Sequence, residues 1–420
     1  MPETIRQPTG ATEPPRPRSA AVPMPGAALL CVANFPANTG YAWGFIEGLY
    51  AGLADRLAPR GVRTLVAYPG LAQPPRTLAG SAARAVELDV RLNSIRCMRA
   101  TLALVRRERV RVVYLADRPV WHPAYLALRL AGVRRIVVHD HTSGERTRPT
   151  GLKRALKRAS RRARLLLADE VVAVSDYVLR RKLDIDLVPP ARARRIWNSI
   201  EPPAADPVAA ARLRQTFALP ADALVVGCAA RVVPEKGVHH LLRAFDTLLA
   251  GWPGAAPWLL CLGDGPGLAE LRALRQRLPG RERILLAGHH PDAAALLGGA
   301  DVCVVPSVWQ EAFGLSALEP MARGVPVAAS RVGGLPEVVE DGVTGVLVEP
   351  GAEAELAGAL ARLLASPELR RRLGRSGRRR ALERFSRARQ LDALLDLVAP
   401  GFGPAHGRRS RGGVLVAEVE

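Results

Sequence analysis

The sequence predicts an α/β protein made of two doubly wound parallel sheets, and three observations carry this prediction. The chain has 420 residues, which is too long for one ordinary domain and about right for two. Short apolar segments alternate with segments of helical periodicity almost throughout. A polar, proline-containing stretch, Glu201–Pro207, interrupts this alternation. We therefore expect two Rossmann-like domains facing a cleft, with ligands bound beyond the carboxyl ends of the strands.

The strand candidates are short apolar segments, each separated from the next by a helical pattern. In the first half they are Ala28–Ala33, Arg63–Tyr68, Val110–Leu115, Arg135–His139, Glu170–Val174 and Arg195–Trp197. In the second half they are Leu224–Ala229, Trp258–Leu262, Arg283–Ala287, Val302–Val305, Pro326–Ala329 and Gly345–Val348. These patterns place one predicted domain in residues 26–202 and the other in residues 203–384.

Both ends of the chain differ in composition from the two predicted domains. Residues 1–25 hold seven prolines and lack the apolar core of a signal peptide, so we expect a disordered tail. Residues 401–420 begin with a Gly- and Arg-rich stretch, and we expect a second flexible tail there. No apolar run approaches the roughly 18 residues that a membrane-spanning helix needs.

Charge and cysteine content restrict the function classes only loosely. The net charge of +21 is compatible with a nucleic-acid or anionic membrane partner. However, the chain has 56 arginines and only four lysines, which indicates a codon-composition bias and weakens the charge as a functional signal. The five cysteines are far apart and form no C-x-x-C pair, which predicts a reduced, cytoplasmic protein without a zinc or redox site.

The segment from Pro306 to Glu319, P-S-V-W-Q-E-A-F-G-L-S-A-L-E, carries the strongest functional signal. It follows a predicted strand and places Glu311 on a loop and Glu319 about two turns into a helix. The helix N-terminus between them offers free N–H groups and a positive dipole end, which suit a diphosphate. Carboxylates on either side can hold hydroxyl groups. A ligand with phosphates and sugar hydroxyls, such as a nucleotide sugar, fits this arrangement.

A basic loop follows the first strand of the second half. It reads Arg231-Val-Val-Pro-Glu-Lys236-Gly237, and an arginine and a lysine at one strand end can converge on a single diphosphate. A solvated basic loop is the alternative interpretation. The binding role is favoured because lysine is rare in this chain and because Gly237 permits a close backbone approach at a helix start.

The Glu-x7-Glu element with its E-A-F-G core and the R-x4-K-G loop resemble those of the retaining family 4 glycosyltransferases, which have the GT-B fold. The resemblance implies an acceptor-side domain in residues 26–202 and a nucleotide-sugar-binding domain in residues 203–384. It also implies a late helix, residues 385–400, that crosses back onto the first domain. The implied reaction is retaining transfer from a nucleoside-diphosphate sugar to an acceptor hydroxyl in polysaccharide, glycolipid or other glycoconjugate synthesis. No metal or other cofactor is expected.

The resemblance also implies roles for particular residues. Arg231 and Lys236 would stabilise the diphosphate, Glu311 would bind the transferred sugar near the reacting face, and Glu319 would bind the ribose. The further donor contacts implied are the amides around Gly314, Leu315 and Ser316, the glycine-loop residue Gly40, and Asp264 and Gly288 near the nucleotide. We expect catalysis without a covalent protein nucleophile, by front-face attack within a tight ion pair.

The strand Arg135–His139 ends in His139-Asp140-His141, for which three interpretations compete. The histidines and the aspartate are metal ligands by type, but neighbouring strand residues point to opposite faces. A core or capping histidine is the second interpretation. The third is a sugar-contacting histidine, for which the resemblance favours His139 and leaves His141 as the second choice. A neutral imidazole near the anomeric centre can exchange hydrogen bonds as charge develops.

Other functions and partners remain open at this stage. A nucleotide-sugar epimerase shares the fold and the donor, and a non-catalytic membrane- or nucleic-acid-binding protein is a third class. Segment Glu145–Arg164 contains nine Arg or Lys residues. It is either an amphipathic face packed on the first domain or a basic face for an anionic acceptor or membrane surface, which would attach the protein peripherally to the inner face of the membrane. It lacks the interleaved aromatics of single-strand recognition, so no specific nucleic acid is expected.

Overall fold

The computed structural model describes residues 26–39, 41–90 and 94–403, and within them strands alternate with helices. The strands of the first domain are β1 (Ala28–Val32), β2 (Arg63–Tyr68), β3 (Ala83–Glu87), β4 (Val110–Ala116), β5 (Arg135–Asp140), β6 (Glu170–Ala173) and β7 (Ala193–Arg195). Its helices are α1 (Tyr41–Leu57), α2 (Ile95–Arg107), α3 (Ala124–Leu130), α4 (Gly151–Ser160) and α5 (Asp176–Asp184).

The second domain repeats the pattern and ends in helices. Its strands are β8 (Val225–Ala229), β9 (Trp258–Leu262), β10 (Ile284–Gly288), β11 (Val302–Val305), β12 (Val327–Ser330) and β13 (Gly345–Val348). Its helices and those that follow are α6 (Ala209–Thr216), α7 (Val238–Ala250), α8 (Leu268–Arg277), α9 (Ala293–Leu296), α10 (Leu315–Ala322), α11 (Leu335–Val338), α12 (Glu353–Ala365), α13 (Pro367–Arg384) and α14 (Arg387–Val398).

Each domain is organised around a parallel sheet. In the described part of the chain the first sheet has the order β3-β2-β1-β4-β5-β6-β7 and the second the order β10-β9-β8-β11-β12-β13. The order reverses between β1 and β4 in one sheet and between β8 and β11 in the other. Such reversal points are where doubly wound sheets bind ligands. The loop that follows β8 carries Arg231 and Lys236, and the loop that follows β11 carries Glu311, so the predicted donor residues lie at the reversal point of the second sheet.

The predicted fold class is confirmed, with two differences in detail. The edge strand β3 was not predicted, because its sequence, A-R-A-V-E, alternates small and charged residues and none of them is buried. Strand β7 ends at Arg195, so the predicted strand Arg195–Trp197 is displaced by about two residues. Trp197 instead leaves the sheet and packs edge-on against Phe385, with 5.6 Å between the ring centroids.

Apolar clusters cover both faces of each sheet. On one face of the first sheet the cluster includes residues of α14, the last helix that the structure describes: Leu391, Leu394, Leu395, Leu397 and Val398. This helix packs on α1, where a Cβ at Gly52 would lie 2.6 Å from the Leu391 side chain. Helix α14 therefore completes the core of the first domain, while the domain boundaries assigned from the sequence stay predictions.

The chain remains packed beyond the point where the C-terminal tail was expected to begin. Phe402 is 3% exposed and belongs to the same cluster as α14. Arg134 donates a hydrogen bond to the carbonyl oxygen of Gly403. The prediction of a tail from Gly401 was therefore wrong by at least three residues, because a buried aromatic follows the Gly-rich turn. The predicted tails 1–25 and 404–420 lie outside the described residues.

Across the described residues, no helix combines the length and the apolar character that crossing a bilayer requires.

We expect Leu394→Ala to lower the free energy of unfolding by about 2–5 kcal/mol, because Leu394 is fully buried where α14 meets the first domain. Asp396→Ala, at an exposed position of the same helix, is the matched control and should change stability by less than about 0.5 kcal/mol. Urea denaturation measures both. Equal stabilities for the two variants would contradict the structural role of α14.

Candidate active site

Close backbone packing fixes the loops at the reversal point of the second sheet. Gly237 has φ of +64°, and a Cβ there would lie 1.9 Å from the carbonyl oxygen of Pro306. The amide of Val308 donates to the carbonyl oxygen of Glu235 at 3.0 Å. Only glycine tolerates both this conformation and this contact. The loop after β8 and the loop after β11 are therefore held against each other.

This packing brings Lys236 and Glu311 into direct contact. Lys236 Nζ lies 2.6 Å from Glu311 Oε1, and Ser307 Oγ donates to the same oxygen at 2.6 Å. Glu311 is buried, whereas Lys236 is partly exposed. The second carboxylate oxygen of Glu311 accepts no hydrogen bond from the described residues, so it remains available to a ligand.

The remaining loops of this edge are tied to the Arg231 turn by main-chain hydrogen bonds. The amide of Val232 donates to the carbonyl oxygen of Asp264 at 2.9 Å. The amide of Gly263 donates to the carbonyl oxygen of Gly288 at 2.7 Å. Arg231 and Asp264 are exposed. The guanidinium of Arg231 makes no hydrogen bond or ion pair within the described part of the chain. Arg231, Asp264 and Gly288 thus line the same sheet edge as Lys236.

Gly314, three residues after Glu311, is the N-cap residue of helix α10. Gly314 has φ of +119°, and a Cβ there would lie 2.5 Å from the Leu335 side chain. Leu315 and Ser316, in the first turn, are partly exposed, so the N-terminus of this helix remains accessible to a ligand.

Glu319 is the fifth residue of α10, and its carboxylate accepts no hydrogen bond from described residues. Burial raises the pKa of Glu319 to about 7, and nearby Arg323 opposes this rise.

On the first domain, the structure separates the two candidate histidines by depth. His139 is fully buried, its Nδ1 lies 2.5 Å from the Tyr114 hydroxyl, and its Nε2, like that of His141, is buried without a hydrogen-bond partner among the described residues. His141 is partly exposed, and its ring lies 4.0 Å from that of His139. Burial lowers the pKa of both histidines, that of His139 well below its ordinary value, which favours the neutral form of both imidazoles.

Two other interpretations concern the first domain: a metal site at His139-Asp140-His141 and a donor contact at Gly40. No group of three His, Cys, Asp or Glu side chains placed to hold a metal ion occurs among residues 26–39, 41–90 and 94–403, so His139, Asp140 and His141 do not form one. Gly40, the predicted contact of the glycine loop, lies outside the described residues.

Several contacts between the domains involve the loop that carries Glu311. The amide of Gly144 donates to the carbonyl oxygen of Gln310 at 2.7 Å. The hydroxyl Oγ of Ser175 donates to the carbonyl oxygen of Ala312 at 2.6 Å. Trp309 covers Gly144, where a Cβ would lie 2.4 Å from the indole ring. No local sequence pattern identifies these contacts, although the small residues Thr142, Ser143 and Gly144 after β5 permit such a close approach.

Glu337 is a second element of this interface. Its carboxylate accepts hydrogen bonds from the amides of Asp176 and Tyr177 at 2.7 and 2.9 Å and from Trp197 Nε1 at 3.0 Å. A side chain of the second domain therefore caps the N-terminus of α5 in the first, where a negative charge is favoured.

A buried ionic network supports the end of β5. Asp140 pairs with Lys182 and with Arg181, and all three side chains are at most 4% exposed. Burial alone would raise the pKa of Asp140, but the two cations outweigh it and lower the value to about 2. Arg181 also donates to the carbonyl oxygens of Thr142 and Gly144. The network thus fixes the segment that contacts the Glu311 loop.

Comparison with known proteins identifies the family. Residues 210–380 match the model described as Glycosyl transferases group 1, and residues 49–202 match Glycosyltransferase Family 4. The chain belongs to glycosyltransferase family 4. A relative from Saccharomonospora viridis, named D-inositol 3-phosphate glycosyltransferase, is 36% identical over 262 residues, which are 59% of this chain and 60% of the relative. The chain thus aligns with less than two thirds of that relative.

Solved structures of other glycosyltransferases confirm the GT-B fold of the chain. A glycosyltransferase from Rickettsia africae has a TM-score of 0.73 and 19% identity, covering 89% of this chain and 98% of its own. Anabaena Alr3699/HepE, in complex with UDP and glucose, has a TM-score of 0.71 and 19% identity, covering 89% and 99%. At these identities the similarity establishes the fold of this family 4 member and leaves its substrates to be proposed.

We expect Glu337→Gln to lower the free energy of unfolding by about 2 kcal/mol, because an amide removes the charge at the α5 N-terminus and one acceptor oxygen. Glu383→Gln, at an exposed position of α13, is the control and should have little effect. Thermal and urea denaturation measure the difference. Identical transitions for the two variants would show that Glu337 does not hold the domains together.

We expect Glu319 to make stability fall as pH rises. Its pKa of about 7 in the folded state, against 4.5 for an ordinary glutamate, means that the folded protein holds a proton more tightly than the unfolded chain does. The resulting stabilisation is full below the unfolded pKa and is lost between the two values. It amounts to about 3 kcal/mol.

Glu319→Gln tests this dependence because the amide is not ionised. The variant should be more stable than the parent protein at about pH 8, and the difference should shrink towards about pH 5. Glu270→Gln, at an exposed position of α8, is the control. A stability difference between Glu319→Gln and the parent that is independent of pH would contradict the raised pKa.

Proposed function

We propose that the protein transfers a sugar from a nucleoside-diphosphate donor to an acceptor hydroxyl with retention at the anomeric carbon. The contact between Lys236 Nζ and Glu311 Oε1, 2.6 Å long, carries this proposal. In this contact, a cation suited to a diphosphate lies beside a carboxylate suited to sugar hydroxyls, at the reversal point of the second sheet, where such folds bind ligands. The complex of Anabaena HepE with UDP and glucose, which shares the fold, supports a donor of this class.

The donor would bind along the edge formed by the loops after β8 and β11. Arg231 and Lys236 neutralise the diphosphate, and the amides of Leu315 and Ser316 add hydrogen bonds from the α10 N-terminus. Because Lys236 and the two helix amides are held in place before the ligand arrives, they stabilise the charge that develops on the leaving diphosphate. The proposal therefore requires no metal. Glu319, farther along α10, accepts hydrogen bonds from the ribose.

Glu311 is suited to hold the sugar more than to attack it. One of its oxygens already accepts hydrogen bonds from Lys236 and Ser307, which lowers its nucleophilicity and leaves the other oxygen for sugar hydroxyls. We therefore propose front-face attack by the acceptor while the diphosphate departs on the same side. The burial of His139 favours His141 as the histidine that contacts the transferred sugar. His139 would then position this segment through Tyr114.

The acceptor is proposed as a sugar, a lipid-linked compound or a small hydroxyl compound. The name of the Saccharomonospora relative makes an inositol phosphate a compound to include in screening. A cytoplasmic location belongs to the same proposal, since the cysteines Cys31, Cys97, Cys228, Cys261 and Cys303 are all free thiols and are compatible with a reducing compartment.

We expect Lys236→Ala to lower turnover by a factor on the order of 10² or more, because the leaving diphosphate loses a charge-assisted hydrogen bond. Donors are first selected by thermal shift against nucleoside diphosphates and their sugars, starting with UDP and UDP-glucose, since a ligand of the folded state raises the melting temperature. Turnover is then measured with the selected donor and an acceptor panel.

Two controls make this result decisive. Arg272→Ala removes an exposed cation of α8 and should leave turnover unchanged. Incubation with donor alone distinguishes a transferase, which gives at most slow hydrolysis, from an epimerase, which converts the donor. Near-normal turnover of folded Lys236→Ala would reject the assignment of the donor site.

A further inference from the structure

Helix α4 is attached to the protein through its charged side. Lys157 Nζ donates to the carbonyl oxygen of Ile185 at 2.7 Å and lies 3.0 Å from Asp186 Oδ1. Arg161, which follows the helix, donates to the carbonyl oxygen of Asp186 through Nε and Nη2 at 3.0 and 2.9 Å. None of the residues of α4 is buried. The contact side of this helix is therefore cationic.

The apolar side of α4 faces solvent instead. Leu152 is 75% exposed and Leu156 is 62% exposed, and Ala155 and Ala159 on the same side are also exposed. With 3.6 residues per turn, Lys157 lies about 140° around the helix from Leu152. A surface helix of a globular protein ordinarily has the reverse arrangement, with apolar residues facing the core. Of the amphipathic segment 145–164, the cationic side of α4 therefore contacts the first domain, whereas its apolar side does not pack there.

Cations flank this exposed apolar side. Lys153, Arg158 and Arg162 are exposed, and residues 151–164 contain no Asp or Glu. A helix with exposed leucines between lysines and arginines is the kind that lies at the interface of a bilayer, with leucines at the acyl boundary and cations at anionic headgroups. The partner must therefore combine an apolar layer with a negative surface.

We propose that the outer face of α4, defined by Leu152, Ala155, Leu156 and Ala159 with the flanking Lys153, Arg158 and Arg162, binds the surface of a bilayer that contains anionic lipids. A second copy of the chain is a poorer occupant, because two such faces would bring like charges together and the chain carries a net charge of +21. This inference goes beyond the proposed function, since bilayer binding does not depend on which sugar is transferred.

The residues that hold α4 also connect it to the end of β5. Asp186, which holds Lys157, pairs on its other oxygen with Lys182 at 2.9 Å, and Lys182 pairs with Asp140 at the end of β5. A continuous ionic network therefore joins α4 to the strand end beside His141.

Vesicle sedimentation with the full chain tests this surface. Vesicles of phosphatidylcholine alone are compared with vesicles that also contain phosphatidylglycerol. We expect binding only to the anionic vesicles, weakened by salt, and a loss of about tenfold or more in the partition coefficient of the double variant Leu152→Ser/Leu156→Ser. The double variant Ile95→Ser/Val208→Ser, which changes two other exposed apolar residues, is the matched control and should bind like the parent protein.

Two outcomes would overturn the inference. One is equal binding to anionic vesicles by the α4 variant and the control. The other is a parent dimer that the α4 variant converts to monomers while neither binds vesicles, which would assign the face to a second copy. The thermal shift produced by UDP-glucose is measured on the same samples. If UDP-glucose produces no thermal shift in the parent protein, that result counts against the proposed donor site and leaves the vesicle result intact.

Discussion

The site depends on two contacts at which main-chain segments approach so closely that only glycine fits. Gly237 lies against the carbonyl of Pro306, and Gly333 lies against the backbone of Glu311, where a Cβ would be 2.1 Å from the carbonyl oxygen. A lysine and a glutamate that meet at a protein surface contribute little by themselves, because solvent screens them and ordering them costs entropy. Here the backbone orders them, and burial of Glu311 reduces the screening.

The same loop sets the spacing of the domains. Gln310 and Ala312, on either side of Glu311, accept hydrogen bonds from the first domain, so a movement of one domain against the other would also move the carboxylate. Glu337 reinforces this connection by capping a helix of the opposite domain. The geometry of the donor site and the width of the cleft are therefore not independent, and a ligand that binds both domains would stabilise both.

The sequence was sufficient for features that depend on local pattern and insufficient for those that depend on depth or distant partners. Strands such as Val302–Val305 were predicted because both of their faces are buried, whereas β3 was missed because its residues are half-exposed. The alternation of residues along a strand predicts which face of the sheet His139 lies on, but not how deeply it is buried. No local pattern therefore predicted that His139 is buried against Tyr114. The cap by Glu337 joins residues 160 positions apart, which no local pattern can predict.

Helix α4 shows why an amphipathic pattern alone does not determine orientation. Its apolar stripe was compatible either with packing against the domain, since burial of leucine is ordinarily favourable, or with an anionic surface outside it. The surface available to it, however, is formed by Asp186 and the main chain before it, which pair with Lys157 and Arg161. Lys182 and Asp140 extend this network into the buried end of β5, where an unpaired charge would cost several kcal/mol. Turning the leucines inward would remove the lysine and leave part of that charge uncompensated. The ionic network therefore determines which side of the helix faces outward.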